Sequence, residues 1–239
     1  RSEDPEMKLH EFSNGLYPRR VTIYLAEKGL HQVDRVSHDP TKPWPPQGFL
    51  AINPRGTVPV LELDDGRAIR SSLAILEYLE EVFPQPTMLG DEHVARAQVR
   101  EMASIADELT THFTVWSHKG SDMYVRGGHT NKDVGGFAAL KYHERLDQIE
   151  EFSASIGGRF LAGDSVTIAD CVLMATVQFA DALYGVKLPS STPRLSRWYS
   201  DFLARPSATG CEYPEVALKV ARGLLEQCPP GEQTEARLE

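Results

Sequence analysis

Residues 53–66 read NPRGTVPVLELDDG and decide how the first part of the chain folds. An apolar run that contains Pro59 ends in the turn sequence Asp64-Asp65-Gly66, and this order predicts the first arm of a β-hairpin. Proline lacks the N–H group of a strand ladder, so the chain at Pro59 has to lie at a sheet edge or meet something other than a strand. We expect a cis Val58–Pro59 bond and a Val58 main chain that faces an extended, peptide-like ligand.

The composition is typical of a soluble globular protein. The chain has 239 residues, 41% of them hydrophobic and 25% charged, which suits two domains of ordinary size or one large one. The formal net charge of −9 argues against nucleic acid or an anionic membrane as the main partner. A local cluster can still hold a small acidic ligand, and the first quarter of the chain supplies Arg19, Arg20, Lys42 and Arg55.

The cysteines indicate neither a disulfide framework nor a metal site. They are odd in number and far apart, without a Cys-x-x-Cys pair or a histidine at ligand spacing: Cys171, Cys211 and Cys228. We therefore expect reduced thiols, no metal and a cytoplasmic location. The longest apolar stretch, Val172–Val186, is too short to span a bilayer, and no cleavable signal is recognised before the first predicted strand.

The residues up to position 83 predict a small α+β domain, residues 7–83, with a mixed sheet. Its predicted elements are a strand Lys8–Phe12, a helix from Arg19 to Lys28 stopped by Gly29, a strand Val33–Val36, the hairpin Val58–Ile69 and a helix from Ser71 or Ser72. The Pro- and Trp-rich segment Pro40–Gly48 is predicted to be irregular.

Strand signals vanish after a proline-rich linker, residues 84–92, so residues 93–228 are predicted to form an all-helical bundle. The expected helices are Glu92–Ser117, Val134–Ile156, Thr167–Leu183, Pro193–Ala204 and Tyr213–Glu226. The polar ends, residues 1–6 and 229–239, are expected to be disordered. Thr167 and Asp170 have the spacing of a capping box, which we interpret as a folding signal without chemistry.

Three motifs together resemble the glutathione transferase superfamily, of the cytosolic type. They are Arg20-Val21 with Ala26-Glu27-Lys28-Gly29, the Thr57-Val58-Pro59 hairpin leading to Ser71-Ser72, and the Thr167–Asp170 box. The resemblance covers residues 7 to about 207. It implies a thioredoxin-like N-terminal domain, a helical C-terminal domain and a homodimer with an active site between the two domains.

Glutathione, as co-substrate, fits the residues that carry this resemblance. Val58, followed by Pro59, can pair with the cysteinyl backbone, and the helix that begins at Ser71-Ser72 offers N–H groups to the γ-glutamyl carboxylate. Ser72 matches the carboxylate-binding serine of the family. The acidic residue that family members usually carry just before it is Ser71 here, so the amine contact is left to Asp107 or to a partner subunit.

The glycyl carboxylate of glutathione needs a cation. Arg55 and Lys42 are the candidates, and the competing interpretation for both is solvated surface charge.

Activating the thiol needs at least one donor. A free cysteine thiol has a pKa of about 8.5, and lowering it by about two units requires ~2.7 kcal/mol, close to what one hydrogen bond to a charged group contributes. In many family members the donor is a hydroxyl or thiol five residues before the Arg-Val pair. That position is Gly15 in this chain, which therefore resembles bacterial and fungal members without the usual loop hydroxyl.

Four residues can replace the missing hydroxyl. Tyr17 ranks first because its phenol lies near a helix N-terminus, followed by Asn14 and Ser13, whose types are also explained by turn chemistry alone. The fourth, His112, could hold a water molecule from the second domain, although a lone histidine beside an apolar face is more often a packing residue.

The electrophile pocket is predicted to be apolar. Its candidate residues are Tyr17, His112, Phe113, Trp116 and Tyr124. The competing interpretation is that an aromatic stripe at helical spacing belongs to the core.

These observations predict a glutathione-dependent transferase whose thiolate attacks an apolar small molecule, without metal. Two alternatives stay open: a glutathione-dependent cis–trans isomerase of a conjugated substrate, and a glutathione-binding module without catalysis. A disulfide-exchanging activity is disfavoured because the loop contains no cysteine.

Overall fold

The computed structural model describes residues 6–127 and 130–224, and its first part is built on a four-stranded mixed sheet. The strands follow the order β2-β1-β3-β4, where β1 is Met7–Glu11, β2 Val33–Ser37, β3 Val60–Leu63 and β4 Ala68–Ile69. β1 pairs in parallel with β2 and antiparallel with β3, and β3 and β4 form the predicted hairpin. Three helices complete this part: α1 Leu16–Lys28, α2 Phe49–Ile52 and α3 Ser72–Val82.

Pro59 lies directly before an inner strand. β3 begins at Val60, which pairs with His10 of β1, and the Val58–Pro59 peptide bond is cis, as predicted. We expected Pro59 either at a sheet edge or where the chain meets no other strand. β3 is an inner strand, so the first alternative is wrong. Pro59 precedes the first ladder position, where its missing N–H costs no strand pairing.

The second part is all helical and follows Pro84–Glu92. Its helices are α4 His93–Gly120, α5 Lys132–Ile156, α6 Ile168–Phe179, α7 Pro193–Leu203 and α8 Glu215–Ala221. The predicted loop Gly120–Asn131 contains a 3₁₀ helix, Asp122–Gly127, and α6 continues into a π-helical turn, Ala180–Tyr184. A thioredoxin-like domain followed by an all-helical domain is the fold class that the sequence predicts. In the described part of the chain, no helix combines the length and the apolar character needed to cross a bilayer.

Some predictions concern residues that the structure does not describe. The expected disordered ends and Cys228 fall largely or wholly on positions 1–5 and 225–239, outside the described residues. The predicted last helix, Tyr213–Glu226, begins later than expected, at Glu215. Pro214 lacks an amide proton and is typical of the position just before or at a helix start, so it explains the later start.

The predicted capping box is present at the start of α6. Asp170 is completely buried, and its carboxylate accepts hydrogen bonds from the N–H of Thr167 (2.8 Å) and the hydroxyl of Thr167 (2.7 Å). It also accepts from the N–H of Leu161 (3.0 Å) and Nε1 of Trp198 (2.9 Å). Burial raises the pKa of Asp170, and these donors oppose that rise. One side chain thus joins the start of α6 to the preceding loop and to α7.

The two parts of the chain are joined at α1. Glu27 accepts hydrogen bonds from Arg205 (2.8 Å from Nε to Oε1) and from the hydroxyl of Ser207. Arg19, which is 6% exposed, donates from Nη2 to Oε1 of Gln178 in α6 (2.8 Å). The helical part therefore holds α1 near both of its ends, which fixes the place of its first turn.

We expect Asp170→Ala to lower the free energy of unfolding by roughly 3 kcal/mol, because four buried donors lose their acceptor. Urea denaturation measures the change. The matched control is Asp164→Ala in the same loop, since exposed Asp164 accepts, among the described residues, only the N–H of Arg159 (3.1 Å). Equal losses for the two variants would contradict the structural role of Asp170.

Candidate active site

A cleft of about 330 Å³ opens where α1, the β3 entry and α3 meet α4. Both parts of the chain contribute to its wall. The lining residues are Tyr17, Arg20, Arg55, Thr57, Val58, Pro59, Arg70, Ser71, Ser72, Leu73, Asp107 and Thr111.

The main chain of Val58 forms one wall of the cleft and is unpaired. Neither its N–H nor its C=O bonds to another described residue, since β3 begins two residues later. The neighbouring backbone is held in place: Nδ2 of Asn53 donates to the carbonyl of Thr57 (2.6 Å), and Nε1 of Trp44 donates to the carbonyl of Gly56 (2.6 Å). Val58 therefore presents one donor and one acceptor on a fixed backbone.

The N-terminus of α3 forms the opposite wall. Ser71 is its N-cap residue in an extended conformation, without a side-chain cap, and the first turn contains no acidic residue. The first backbone hydrogen bond runs from the N–H of Ile75 to the carbonyl of Ser71 (2.8 Å). The N–H groups before it and the positive end of the helix dipole make this end a site for an anion.

A buried arginine joins the two parts of the chain below the cleft. Arg20 is 1% exposed, and its Nη1 donates to Oδ1 of Asp107 in α4 (2.6 Å) and to the hydroxyl of Ser72 (3.2 Å). Its guanidinium lies 4.8 Å from the ring centre of Tyr17. Burial lowers the pKa of Arg20, and the Asp107 carboxylate opposes that change.

Arg20 is not fully satisfied by the protein. Its Nε and Nη2 have no hydrogen-bond partner among the described residues, although both atoms are buried. Such unpaired donors are costly in a folded protein and concentrate at functional sites.

The cleft is positively charged in an acidic chain. Three guanidinium groups line it, those of Arg20, Arg55 and Arg70, against the single carboxylate of Asp107. Arg70 is held by hydrogen bonds from Nε to the carbonyl of Ile52 (2.7 Å) and from Nη1 to that of Ala68 (3.1 Å). Lys42 is exposed and does not line the cleft, so the structure brings Arg55 but not Lys42 to it.

Of the three loop candidates for thiol activation, Tyr17 alone lines the cleft. Exposed Ser13 donates its hydroxyl to that of Ser37 (3.3 Å). The side-chain amide of Asn14 donates to the carbonyl of Glu212. Both short side chains are therefore used to fasten the loop, which is a physical reason to discount them as donors to a ligand.

Gly15, where the family hydroxyl is missing, is the N-cap of α1. A Cβ atom there would come within 3.2 Å of the carbonyl oxygen of Phe12 and of the Pro18 ring. A side chain at this position therefore requires its neighbours to move by a few tenths of an ångström. The first helical bond runs from the N–H of Arg19 to the carbonyl of Gly15 (3.0 Å), so the amides of Leu16 and Tyr17 precede it.

The α4 candidates for the electrophile pocket lie elsewhere. Phe113 and Trp116 are completely buried and pack on Tyr142 of α5, with ring centres 5.5 Å away in both cases. They belong to the core of the helical domain, which corrects their assignment to the pocket. The competing interpretation of the aromatic stripe was the right one for these two residues.

His112 and Tyr124 are also outside the cleft lining. His112 is half-buried on the side of α4 that faces α5; burial and then Arg145 and Lys141 lower its pKa, while Glu108 and Glu144 oppose them. Tyr124 packs against His118 with the two rings tilted and their centres 4.2 Å apart, and burial raises the pKa of Tyr124.

The residues that α4 does bring to the cleft are Asp107 and Thr111, one helical turn apart. Sequence reasoning named Arg20 only as one of several cations that could hold an acidic ligand, and it missed Arg70 and Thr111 as site residues. A signal existed for Arg20 and Arg70, because Arg70 directly precedes Ser71-Ser72 and Arg20 follows Tyr17 by three residues.

Within the described ranges, no three His, Cys, Asp or Glu side chains lie close enough to hold a metal ion.

The chain is similar to known protein families and proteins over most of its length. Residues 15–82 match the family model for the glutathione S-transferase N-terminal domain, and residues 137–206 match the model for the C-terminal domain. Glutathione S-transferase 2 of Saccharomyces cerevisiae is 32% identical over 213 residues, which cover 84% of this chain and 88% of that protein.

Two further similarities span nearly the same region. Maleylacetoacetate isomerase of Pseudomonas aeruginosa is 31% identical over 199 residues, 80% of this chain and 88% of that protein. The crystal structure of a glutathione S-transferase domain-containing protein from Marinobacter aquaeolei superposes with a TM-score of 0.75 at 32% identity, covering 84% of this chain and 100% of that one. Both domain models match, and these similarities cover 80% to 84% of the chain, so the chain belongs to the glutathione S-transferase family.

Proposed function

We propose that the cleft binds glutathione and activates its thiol for attack on an apolar electrophilic small molecule. The observation that carries the proposal is the juxtaposition, in one cleft, of an unpaired main chain at Val58 and the uncapped N-terminus of α3. Both are matched to an extended, anionic tripeptide.

Each part of glutathione has a complementary group. The Val58 N–H and C=O fit the cysteinyl main chain, and the Ser72 hydroxyl with the α3 amides fits the γ-glutamyl carboxylate. Asp107 of the same chain is our assignment for the γ-glutamyl ammonium, because Arg20 holds its carboxylate at the cleft, 2.6 Å away. For the glycyl carboxylate we assign Arg55 and not Lys42, since only Arg55 lines the cleft.

Tyr17 is our assignment for the donor to the thiolate. It is the second residue of α1, so its phenol and the free amides of the first turn lie at the positive end of the helix. The Arg20 guanidinium beside its ring adds positive charge. One donor to a charged group contributes ~1.5–3 kcal/mol, which is comparable with the ~2.7 kcal/mol that a two-unit pKa shift requires.

The chemistry follows from the charge on sulfur. The thiol loses its proton to solvent and the thiolate adds to an electrophilic carbon. Either a leaving group then departs with its bonding electron pair, or the anionic adduct takes up a proton from solvent. The isomerase alternative uses the same thiolate and then releases it, and the similarity to the Pseudomonas aeruginosa isomerase favours keeping it. The third alternative, glutathione binding without catalysis, requires that the Tyr17 hydroxyl does not lower the pKa of the bound thiol enough for it to react.

The homodimer and a cytoplasmic location stay proposals. An apolar patch on α5 supports the dimer: Phe137 is 61% exposed and Leu140 is 48% exposed. Large exposed apolar side chains that cluster on one helix face are typical of an interface.

The proposed function predicts a covalent product. Incubation with glutathione and a neutral aryl halide is expected to give a conjugate whose mass includes the tripeptide, measured by mass spectrometry. A product of unchanged mass from a conjugated cis substrate would favour the isomerase instead. If titration calorimetry detects no association with glutathione at about millimolar concentration, where weak specific ligands still bind, the proposal fails.

We expect Tyr17→Phe to raise the apparent pKa of the bound glutathione thiol by about one to two units, because the thiolate loses a donor. The thiol pKa is depressed in the complex, so the loss of rate is largest at low pH and disappears as the pH rises above the thiol pKa of the variant. A pH profile of kcat/KM measures this. Tyr78→Phe in α3, outside the cleft, is the control, and a profile for Tyr17→Phe that equals it would exclude the phenol.

We expect Ser72→Ala to weaken glutathione binding about tenfold, since a hydrogen bond to a charged carboxylate is lost. Calorimetry measures the dissociation constant. Ser71→Ala is the comparison, because Ser71 is the exposed neighbour whose side chain caps nothing, and its effect should be smaller. A larger loss for Ser71→Ala would move the carboxylate contact to that residue.

A further inference from the structure

The segment Ser207–Tyr213 crosses from the helical domain to the loop that precedes α1. It begins within a short 3₁₀ helix, Pro206–Ala208, and leads into α8. Although it is about 200 positions away in sequence, it contacts Asn14, three residues before Tyr17.

Two reciprocal hydrogen bonds join the segment to the loop. The phenol of Tyr213 donates to the main-chain carbonyl of Asn14 (2.8 Å), and the side-chain amide of Asn14 donates to the carbonyl of Glu212. We call these three residues, Asn14, Glu212 and Tyr213, the latch.

The segment itself is anchored beside the first turn of α1. Nη1 of buried Arg19 donates to the carbonyl of Thr209 (3.1 Å), and Gln178 of α6, which accepts from Arg19, donates to the carbonyl of Ala208 (2.6 Å). These hydrogen bonds therefore connect the latch to α1 and to α6 of the helical domain.

The loop needs such support because its other side-chain hydrogen bond among the described residues is the 3.3 Å bond between exposed hydroxyls. Asn14 lies inside the turn that the N–H of Gly15 closes onto the carbonyl of Phe12 (2.8 Å). Gly15 then begins α1 without a side chain to cap it. The direction of the first helical turn, and with it the place of Tyr17, follows from how this turn is held.

We propose that Tyr213 is a positioning residue for thiol activation: by holding the Asn14 carbonyl it fixes the turn that places Tyr17 and the free α1 amides. This inference rests on the proposed function, since it presupposes that a thiolate is stabilised at the start of α1. Tyr213 itself does not line the cleft and is not assigned any contact with substrate.

The surroundings of Tyr213 keep its phenol protonated and able to donate. Burial, followed by the Cys211 thiol 3.5 Å away and by Tyr184, raises the pKa of Tyr213, while Arg19 opposes the rise. Its ring packs on Phe179, with ring centres 5.9 Å apart. The latch should therefore stay closed over the pH range in which the glutathione thiol titrates.

The test compares Tyr213→Phe with the unmodified full chain. The ultraviolet absorbance of bound thiolate and kcat/KM are both followed over about pH 5.5–9, which brackets a depressed thiol pKa. We expect the titration midpoint to move up by about 0.7 unit and the rate well below the midpoint, near pH 5.5, to fall by up to about fivefold, as for the loss of one neutral hydrogen bond. With glutathione saturating, the two rates should converge at the highest pH, and the dissociation constant of glutathione should be unchanged at the lowest pH, where the thiol form binds.

Tyr199→Phe is the matched control. Tyr199 is also a half-buried tyrosine of the helical domain, but its hydroxyl donates to Oδ2 of Asp181 (3.1 Å), which is not part of the loop. We expect its midpoint to equal that of the unmodified chain.

Two results for Tyr213→Phe would overturn the inference: an unchanged midpoint, or a loss of rate that is equal at every pH. If the unmodified chain itself shows no bound thiolate, the proposed function is wrong. This result differs from a failure of the positioning role of Tyr213, in which the unmodified chain binds the thiolate and Tyr213→Phe leaves the midpoint unchanged. If Tyr213→Phe does not fold, Asn14→Ala decides. It removes the bond to Glu212 and retains the carbonyl, so a smaller upward shift supports the latch and an unchanged midpoint refutes it.

Discussion

The cleft depends on one constraint, the end of the β3 ladder at Val60. Because Pro59 has no N–H to offer, strand pairing with β1 begins only after it, and Val58 keeps a donor and an acceptor that no described residue uses. Asn53 and Trp44 hold the backbone on the other side. A main chain that is both unpaired and rigid is costly for stability and suited to binding another peptide backbone.

The electrostatics of the cleft differ from those of the whole chain. A chain of net charge −9 places three arginines around one small volume, and one of them is almost completely buried. Burial of Arg20 disfavours its charged form, and Asp107 compensates for this only in part. Two nitrogens of Arg20 keep no partner in the described structure. An anion that binds beside Ser72 would therefore enter a field that the protein has already organised.

Local sequence patterns predicted the local structure well. The hairpin, the Gly29 stop of α1 and the Asp170 box all depend on residues a few positions apart, and short-range geometry decides them. Ser72 and Val58 could be assigned to the binding site for the same reason, because the start of a helix and the start of a strand can be recognised from their own residues.

The misplaced residues all depend on long-range packing. Helical periodicity identified the apolar stripe of α4, but it could not say that α5 and not the cleft covers Phe113 and Trp116. Asn14 seemed free to donate because its partner, Glu212, is 198 residues away in sequence. Arg20 was named only as a general cation, without a specific role, because a charged residue early in a helix is ordinarily exposed; its burial follows from Asp107 of the other domain.

A crystal structure of the protein with reduced glutathione would test the central claim most directly. We expect the cysteinyl N–H and C=O of the tripeptide to lie ~2.8–3.2 Å from the C=O and N–H of Val58, with the γ-glutamyl carboxylate at Ser72. A complex in which glutathione binds elsewhere, or in which the Val58 main chain pairs with the protein itself, would contradict it.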